Sequence, residues 1–143
     1  MKKAGLFLLL LVFLVACSDE AKHRISGQWQ LKTINRDGIV SQVDTVFYSF
    51  HLGTVFSVTL LQSPDIAMIS YGYMEMLSEQ DMMLSMDTTR ADEGYFICFA
   101  PEIVESFGWD VSNRYQQVYS IERIDGNELV LSNNGVVYSF NKY

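Results

Sequence analysis

The sequence predicts an all-β domain, an antiparallel meander of about eight strands closed into a barrel. Runs rich in Val, Ile, Tyr, Phe and Thr alternate with Gly, Asn and Asp, which is the pattern of strands and turns. The runs follow one another at short spacing, so neighbouring strands pair through tight turns. Closing the meander into a barrel removes its exposed edges, and a β-sandwich is the alternative.

The predicted strands begin at Ser26, and in the first of them Trp29, Leu31 and Thr33 share one face. Asp37-Gly38 is predicted to form the turn that follows. Two hairpin turns are predicted near the C-terminus, one at 125–127, whose residues are expected to adopt positive φ, and one at 133–135. Strands are predicted at residues 26–35, 45–51, 54–61, 66–77, 81–87, 94–100, 116–124, 128–132 and 136–142.

One segment, residues 101–108, predicts a short helix instead of a strand. Pro101 suits the first helical position, Glu102 suits the first turn, and Gly108 suits the stop. Ile103 and Phe107 fall on one face. Such a helix is expected to close one end of a barrel.

Residues 1–16 predict an export signal. Lys2 and Lys3 form a positive start, and an unbroken apolar run extends from Leu6 to Val15. That run is too short for a permanent membrane helix, which needs about 20 residues. The signal would therefore be cleaved from the mature protein.

The residues Leu14-Val15-Ala16-Cys17 resemble the lipobox of bacterial lipoproteins. The resemblance implies that Cys17 becomes the first mature residue and carries acyl chains such as palmitate, which anchor it in the membrane. Residues 17–25 then form a lipidated tether, and residues 26–143 form the domain. The run Ser18-Asp19-Glu20 resembles an acidic export tag, with a solvated linker as the alternative. The expected location is the bacterial outer membrane, on the periplasmic side or at the cell surface.

The charge of the chain is acidic. Without Lys2 and Lys3, 8 basic residues remain against 17 acidic ones, a net charge of −9. This excess disfavours binding to nucleic acids, which depends on Lys and Arg neutralising phosphates. Because Cys17 is used by the anchor, Cys98 has no intrachain partner, and its apolar surroundings predict a buried hydrophobe.

The start of the first strand, Gly27-Gln28-Trp29, resembles the Gly-x-Trp motif that opens lipocalins. The C-terminal residues of the chain, Tyr138 to Lys142, are similar to those of small bacterial lipocalin-like lipoproteins. The resemblance implies an eight-stranded barrel in which the tryptophan packs across one end. It also implies a basic residue over that tryptophan, Lys142 or, less favoured, Arg123. The chain departs from typical lipocalins in its shorter length, its lack of a disulfide and its lack of a long C-terminal helix.

Six of the seven methionines lie between Met68 and Met86. Methionine is flexible and polarisable, so these side chains either fill the core or line an adaptable apolar pocket. Copper(I) binding is a minor alternative, because no dedicated spacing supports it. The predicted ligand-binding residues are an end plug and a methionine lining: Trp29, Met74, Met76, Met82 and Met86.

No catalytic constellation is evident. The two histidines, His23 and His51, have no partner at metal-ligand spacing, and no nucleophile elbow is present. The acidic stretch at 87–93 predicts a solvated loop. The sequence therefore predicts no enzyme, metal or cofactor, but a protein that binds a small apolar or amphipathic ligand in its barrel. The alternative is an interaction protein with a filled core, an accessory subunit that binds an envelope protein partner.

Overall fold

A computed structural model of the chain describes residues 20–51, 54–86 and 116–143. It contains a short helix at residues 20–25 and one antiparallel sheet. The strands are β1 Gly27–Arg36, β2 Ile39–Gln42, β3 Val46–His51, β4 Val55–Ser63, β5 Ile66–Met76, β6 Asp81–Met86, β7 Gln116–Ile124, β8 Glu128–Asn133 and β9 Val136–Lys142.

The sheet closes on itself. Its order is β2-β1-β3-β4-β5-β6-β7-β8-β9, and β1 also pairs with β9. The strands β2 and β3 lie along the same edge of β1, β2 against Thr33–Arg36 and β3 against Gly27–Gln30. Together they act as one interrupted strand, so the barrel has eight strands. This closure confirms the predicted barrel and rules out the sandwich.

The two ends of the barrel differ in their connections. The lower end, where β1 begins, holds the helix at 20–25 and the turns at 77–80 and 125–127. The upper end holds the turns at Asp37-Gly38, Pro64-Asp65 and Asn134-Gly135. The predicted hairpin turn at 133–135 is confirmed, and in it Asn134 and Gly135 have φ of 47° and 78°.

The barrel interior is a single apolar core. Alternate side chains of β6 are buried, as are Leu129 and Leu131 on β8 and Tyr138 and Phe140 on β9. Gly72 lies where β5 approaches β6 closely. A Cβ at this position would lie 2.2 Å from the Ser85 carbonyl oxygen and 2.4 Å from the Phe56 ring, so only glycine fits there.

The prediction that Thr33 shares a face with Trp29 and Leu31 is wrong, because β1 contains a bulge. Trp29 and Leu31 point inwards as expected, but the pairing of β1 with β9 shifts between Leu31 and Thr33. Ile34 is therefore the next buried residue of β1, and Thr33 is not. A β-bulge adds one residue to one strand and so reverses the alternation beyond it.

The turn at 125–127 differs from its prediction as well. Neither Gly126 nor Asn127 adopts a positive φ. Instead, Asp125 Oδ1 accepts hydrogen bonds from the backbone N–H groups of Asn127 and Glu128, both at 2.8 Å. The turn is therefore held by the Asp125 side chain and not by residues with positive φ.

The folded body begins before Ser26. Ile25, assigned to the tether from the sequence, is fully buried in the core. The helix at 20–25 ends where Ser26 donates to the Lys22 carbonyl oxygen through its N–H at 3.2 Å and its hydroxyl at 2.7 Å. The predicted anchor Cys17, strand 94–100 with Cys98, acidic loop 87–93 and helix 101–108 lie outside the described residues.

Candidate functional site: the barrel interior

Trp29 seals the lower end of the barrel. Its side chain is fully buried, and its Nε1 donates a 2.7 Å hydrogen bond to the Ile25 carbonyl oxygen at the end of the N-terminal helix. Because an indole N–H needs a partner when it is buried, this bond ties the helix to the ring. The ring and Ile25 together make an apolar plug.

Lys142 covers the plug from outside. Its Nζ lies 4.2 Å from the centroid of the Trp29 ring and donates a 2.5 Å hydrogen bond to the Ser26 carbonyl oxygen. Partial desolvation lowers the pKa of Lys142. Gly27 makes room for the ammonium group, since a Cβ there would lie 2.6 Å from Nζ, and its φ is +113°. Arg123 instead pairs with Glu128, so Lys142 is the basic residue over the tryptophan.

Aromatic rings fill the barrel above the plug. The Tyr48 and Phe140 rings meet edge to face with centroids 5.0 Å apart, and the Phe50 and Phe56 rings stack at 6.4 Å. All four side chains are almost completely buried. Such ring pairs contribute about 0.5–1.5 kcal/mol each beyond their burial. The lower half of the interior is therefore filled with side chains.

Three phenols form a polar cluster within this core, which we call the tyrosine cluster: Tyr48, Tyr119 and Tyr138. The Tyr119 and Tyr138 rings meet edge to face at 5.6 Å. Burial raises the pKa of Tyr119 well above its usual value, and Tyr48 and Tyr138 add to the effect. Burial also raises the pKa of Tyr138, while the charge of Arg36 acts in the opposite direction. The Tyr119 and Tyr138 phenols therefore stay protonated near neutral pH.

Interior side chains are buried at both ends of the barrel, with small differences in exposure. Trp29, Leu31, Met82, Leu84, Leu129 and Leu131 are 0% exposed, whereas Ile34 is 5%, Val58 and Ser70 are each 6% and Met86 is 9% exposed. Leu60 and Val136, near the upper end, are only partly buried against the core. Met76, Ile121 and Ile124, near the lower end, are partly buried against the core as well.

The five residues predicted to bind a ligand all belong to the interior, at different levels. Trp29 and Met82 are fully buried, and Met76 lies partly buried at the lower end, where it pairs with Met82. Met74 is buried between the two levels. Met86 ends β6 at the upper end. The structure thus brings the five into one core, and their role in ligand binding stays a prediction.

Several interior polar residues were not predicted as part of the site. The tyrosine cluster is one group, and Ser70 and Gln117 are buried polar side chains. Asn133 Nδ2 donates a 3.0 Å hydrogen bond to Gln117 Oε1. The alternation of β7 and β9 places Gln117, Tyr119 and Tyr138 on inner faces. This alternation is the sequence pattern from which they could have been predicted.

The structure also places the other candidate groups. His51 ends β3 at the lower end and is exposed. Within the described ranges, no group of three or more His, Cys, Asp or Glu side chains is arranged to hold a metal ion. No helix among the described residues is both long and apolar enough to cross a bilayer.

Two surface features accompany the barrel. A groove of about 440 Å³ at the lower end has a mixed-charge lining that includes Glu20, Arg24, Glu79 and Arg123. On the outer face of β4 and β5, Val55 pairs with Tyr73, and Val55, Tyr71 and Tyr73 are exposed.

Comparisons with known proteins agree with this architecture. A lipocalin-like protein from Bacteroides uniformis has a solved structure with 21% sequence identity and a TM-score of 0.67, covering 84% of this chain and 99% of its own. An uncharacterized protein from Bacteroides eggerthii gives 21% identity and a TM-score of 0.69, covering 83% of this chain and 99% of its own. At this identity, the two structures show the shared fold.

No curated protein matches the chain. The sequence profile of the lipocalin-like domain matches residues 10–143. The lipocalin-like fold is generally used for binding and not for catalysis. Because the profile spans nearly the whole sequence, the chain belongs to the lipocalin-like domain family.

Proposed function

We propose that this protein is a lipid-anchored binding protein of the bacterial envelope, not an enzyme, and that it holds a small apolar or amphipathic ligand in its barrel. The observation that carries the proposal is the closed eight-stranded barrel of the lipocalin-like family, whose lower end Trp29 and Lys142 seal. An eight-stranded barrel has room for one small ligand when side chains do not fill it.

The ligand would enter from the upper end and rest above the aromatic layer. Met86 would contact it directly, because it is the most accessible of the buried core side chains. Met74 would form the wall below, while Met76, Met82 and the Trp29 plug support that wall from the lower end. Thioether side chains adapt to ligands of varied shape, which suits an apolar wall.

The anchor belongs to the proposal too. The lipobox at Leu14–Cys17 and the apolar run before it support export and acylation at Cys17, with the outer membrane as the location. Two or three acyl chains hold a protein stably where one does not. We expect radioactive palmitate to label the protein in its host, and Cys17→Ser to abolish labelling and release the protein from membranes. Membrane retention of the unlabelled variant would contradict the anchor.

Native mass spectrometry tests the binding function. The Cys17→Ser protein is purified from its own host without detergent and measured before and after organic extraction. We expect an added mass that extraction removes. An unliganded mass before extraction would contradict the proposal.

Two matched variants locate the ligand. Met86→Trp adds bulk inside the upper half, whereas Ser85→Trp adds the same side chain to the outer face of the same strand. We expect the added mass to disappear only in Met86→Trp, with thermal unfolding confirming that both variants fold. Retention of the ligand in both variants would place it elsewhere.

A second candidate function is that of an interaction subunit of an envelope assembly. The exposed row of Val55, Tyr71 and Tyr73 on one outer face favours it, because contiguous apolar surface marks contact sites. An unliganded mass, together with crosslinks from Tyr73 to one envelope protein on intact cells, would support this alternative. The same crosslinks would be expected to vanish in Tyr73→Glu.

A further inference from the structure

The groove at the lower end of the barrel lies between the N-terminal helix, the turn at 77–80 and the last residues of β7. Its volume of about 440 Å³ falls within the range of small-molecule sites, about 300–1,000 Å³. Trp29 and Ile25, which plug the barrel, do not line the groove. A molecule held there would therefore lie outside the barrel interior.

The lining of the groove combines apolar and charged surface. Ala21, Ile121 and Ile124 are half-buried, and the two isoleucines pack against the core. The charged side chains of the lining are exposed and carry both signs: Glu20, Arg24, Glu79, Glu122 and Arg123. Apolar surface beside charges of both signs suits an amphipathic molecule that is itself a zwitterion.

The five charged side chains differ in their existing contacts. Arg123 pairs with Glu128, and Glu122 accepts a hydrogen bond from the Ser132 hydroxyl. Glu20 and Glu79 form no ion pair or hydrogen bond within the residues that the structure describes. A cationic group of a ligand would therefore be bound by Glu20 and Glu79.

Arg24 supplies the positive side of the groove. Its guanidinium donates a hydrogen bond to the Ile124 carbonyl oxygen, which holds the side chain in place. A guanidinium carries five N–H donors and binds phosphate strongly, so donors remain for a phosphate oxygen. Glu20 and Arg24 are four residues apart on one helix, a spacing that brings Cβ atoms within about 5–6 Å. Two opposite charges this close match a phosphoethanolamine group, in which two carbons separate the phosphate from the ammonium.

The position of the groove favours a lipid as the source of that group. The groove includes Glu20, only three residues after Cys17, the proposed site of acylation. Leu77, in the turn that borders the groove, is an apolar side chain that is 51% exposed. An exposed apolar side chain next to an amphipathic groove suits the boundary between lipid headgroups and acyl chains.

We propose that the groove holds the headgroup of a zwitterionic phospholipid of the phosphoethanolamine class, with Arg24 on its phosphate and Glu20 and Glu79 on its ammonium. This inference goes beyond ligand binding in the barrel. It rests on the proposed anchor only for the source of the lipid, the leaflet in which the protein is held.

The test uses soluble short-chain lipids and the full mature chain carrying Cys17→Ser. Dihexanoyl phosphatidylethanolamine and dihexanoyl phosphatidylglycerol share their acyl chains and phosphate, but only the first has an ammonium group. Both are titrated below their micelle concentrations, and backbone amide NMR signals report the site. We expect the ethanolamine lipid to bind roughly tenfold more tightly and to shift the signals of residues 20–25 and 77–80.

Two variants connect the binding to the two charges of the headgroup. We expect Arg24→Gln to weaken both lipids by about tenfold, and Glu79→Gln to weaken only the ethanolamine lipid. Asp37→Asn is the control for Glu79→Gln, because it makes the same kind of change in an exposed turn at the opposite end. Lys32→Gln is the control for Arg24→Gln, since it removes a positive charge where the ammonium contacts Gln30. Both controls should bind like the parent, and thermal unfolding checks that all four variants fold.

A third probe, phosphoethanolamine without acyl chains, distinguishes a lipid from a small soluble molecule. We expect it to bind at least about tenfold more weakly than the lipid, because it makes no contact with Ile121 and Ile124. Binding as tight as that of the lipid would overturn the lipid as the occupant.

Three other results would overturn the site. They are equal affinities for the two lipids, a preference that survives replacement of both Glu20 and Glu79 by Gln, and amide shifts confined to the barrel strands. None of these results bears on the barrel ligand or the anchor, because native mass and palmitate labelling test those two separately.

Discussion

Lys142 shows how one residue stabilises the closed end of the barrel. Its ammonium group lies over the Trp29 ring and bonds to the Ser26 carbonyl oxygen. We expect Lys142→Met, which keeps the apolar stem, to lower the free energy of unfolding by about 1–2 kcal/mol, because it removes a cation–π contact and a charged hydrogen bond. Chemical denaturation should show a lower midpoint with an unchanged slope.

Arg123→Met is the control for that experiment. Arg123 forms an ion pair with Glu128 at the surface, where such pairs contribute between zero and about 1 kcal/mol. We expect its midpoint to lie close to that of the parent. An equal loss in both variants would mean that the charge of Lys142, and not its position over Trp29, accounts for the effect.

The plug could be predicted from the sequence, but the tyrosine cluster could not. Gly27, Trp29 and Lys142 belong to a short pattern with a known relative placement. Tyr48, Tyr119 and Tyr138 lie on three different strands, β3, β7 and β9, and alternation assigns each only to an inner face. Which phenols meet across a barrel depends on the stagger between its strands, which no local pattern reveals.

The strands could be predicted from the sequence wherever one face of the strand is buried and the other is exposed. The bounds of β7 and β9 match the predicted 116–124 and 136–142. The strand β2 was missed, because all four of its side chains are exposed and no alternation marks it. The bulge in β1 was missed as well, since an added residue changes the face without changing the composition.

The turn between β7 and β8 depends on one carboxylate. Asp125 accepts the backbone N–H groups of Asn127 and Glu128, which lower its pKa, and the charges of Arg123 and Arg24 lower it further. A carboxyl whose pKa is lower in the folded state stabilises that state above its unfolded pKa, near about 4, and loses this effect as pH falls through the folded pKa. We expect Asp125→Ala to lower the denaturation midpoint at neutral pH and the difference from the parent to shrink as the pH falls below the unfolded pKa.

Asp125→Asn tests the mechanism at the same position. The amide oxygen still accepts backbone hydrogen bonds but does not ionise. We expect this variant to keep part of the stability and to lose the additional pH dependence. A midpoint difference for Asp125→Ala that is independent of pH would show that the charge of the carboxylate has no part in the turn.

At the scale of the whole molecule, closure of the sheet turns the nine described strands into a barrel. It rests on the pairing of the first strand with the last, β1 with β9, over seven registered residue pairs. Residues so far apart in sequence give no local signal of their contact, so the sequence left barrel and sandwich open. A closed barrel has two distinct ends, so the position of the anchor determines which end lies near the membrane.

The anchor would set the direction of the cup. If Cys17 is acylated, as we propose, the three peptide units between it and Glu20 reach at most about 11 Å. The helix at 20–25 lies at the lower end, so that end would stay close to the bilayer. The strands that follow raise the upper end by about 20 Å, given about 3.3 Å per residue and a tilt near 45°.

This arrangement predicts where ligand exchange takes place. With the lower end at the membrane, the upper end, where we propose that the ligand enters, would face away from the leaflet that holds the anchor. The proposed ligand would then exchange with the aqueous space or with another protein. We expect a fluorophore at Glu79→Cys to be quenched strongly by nitroxide lipid headgroups, and one at Asn134→Cys weakly, when the acylated protein is placed in vesicles in a Cys98→Ala background. Stronger quenching at Asn134→Cys would mean that the opening faces the bilayer and that the ligand is taken from the anchoring leaflet itself.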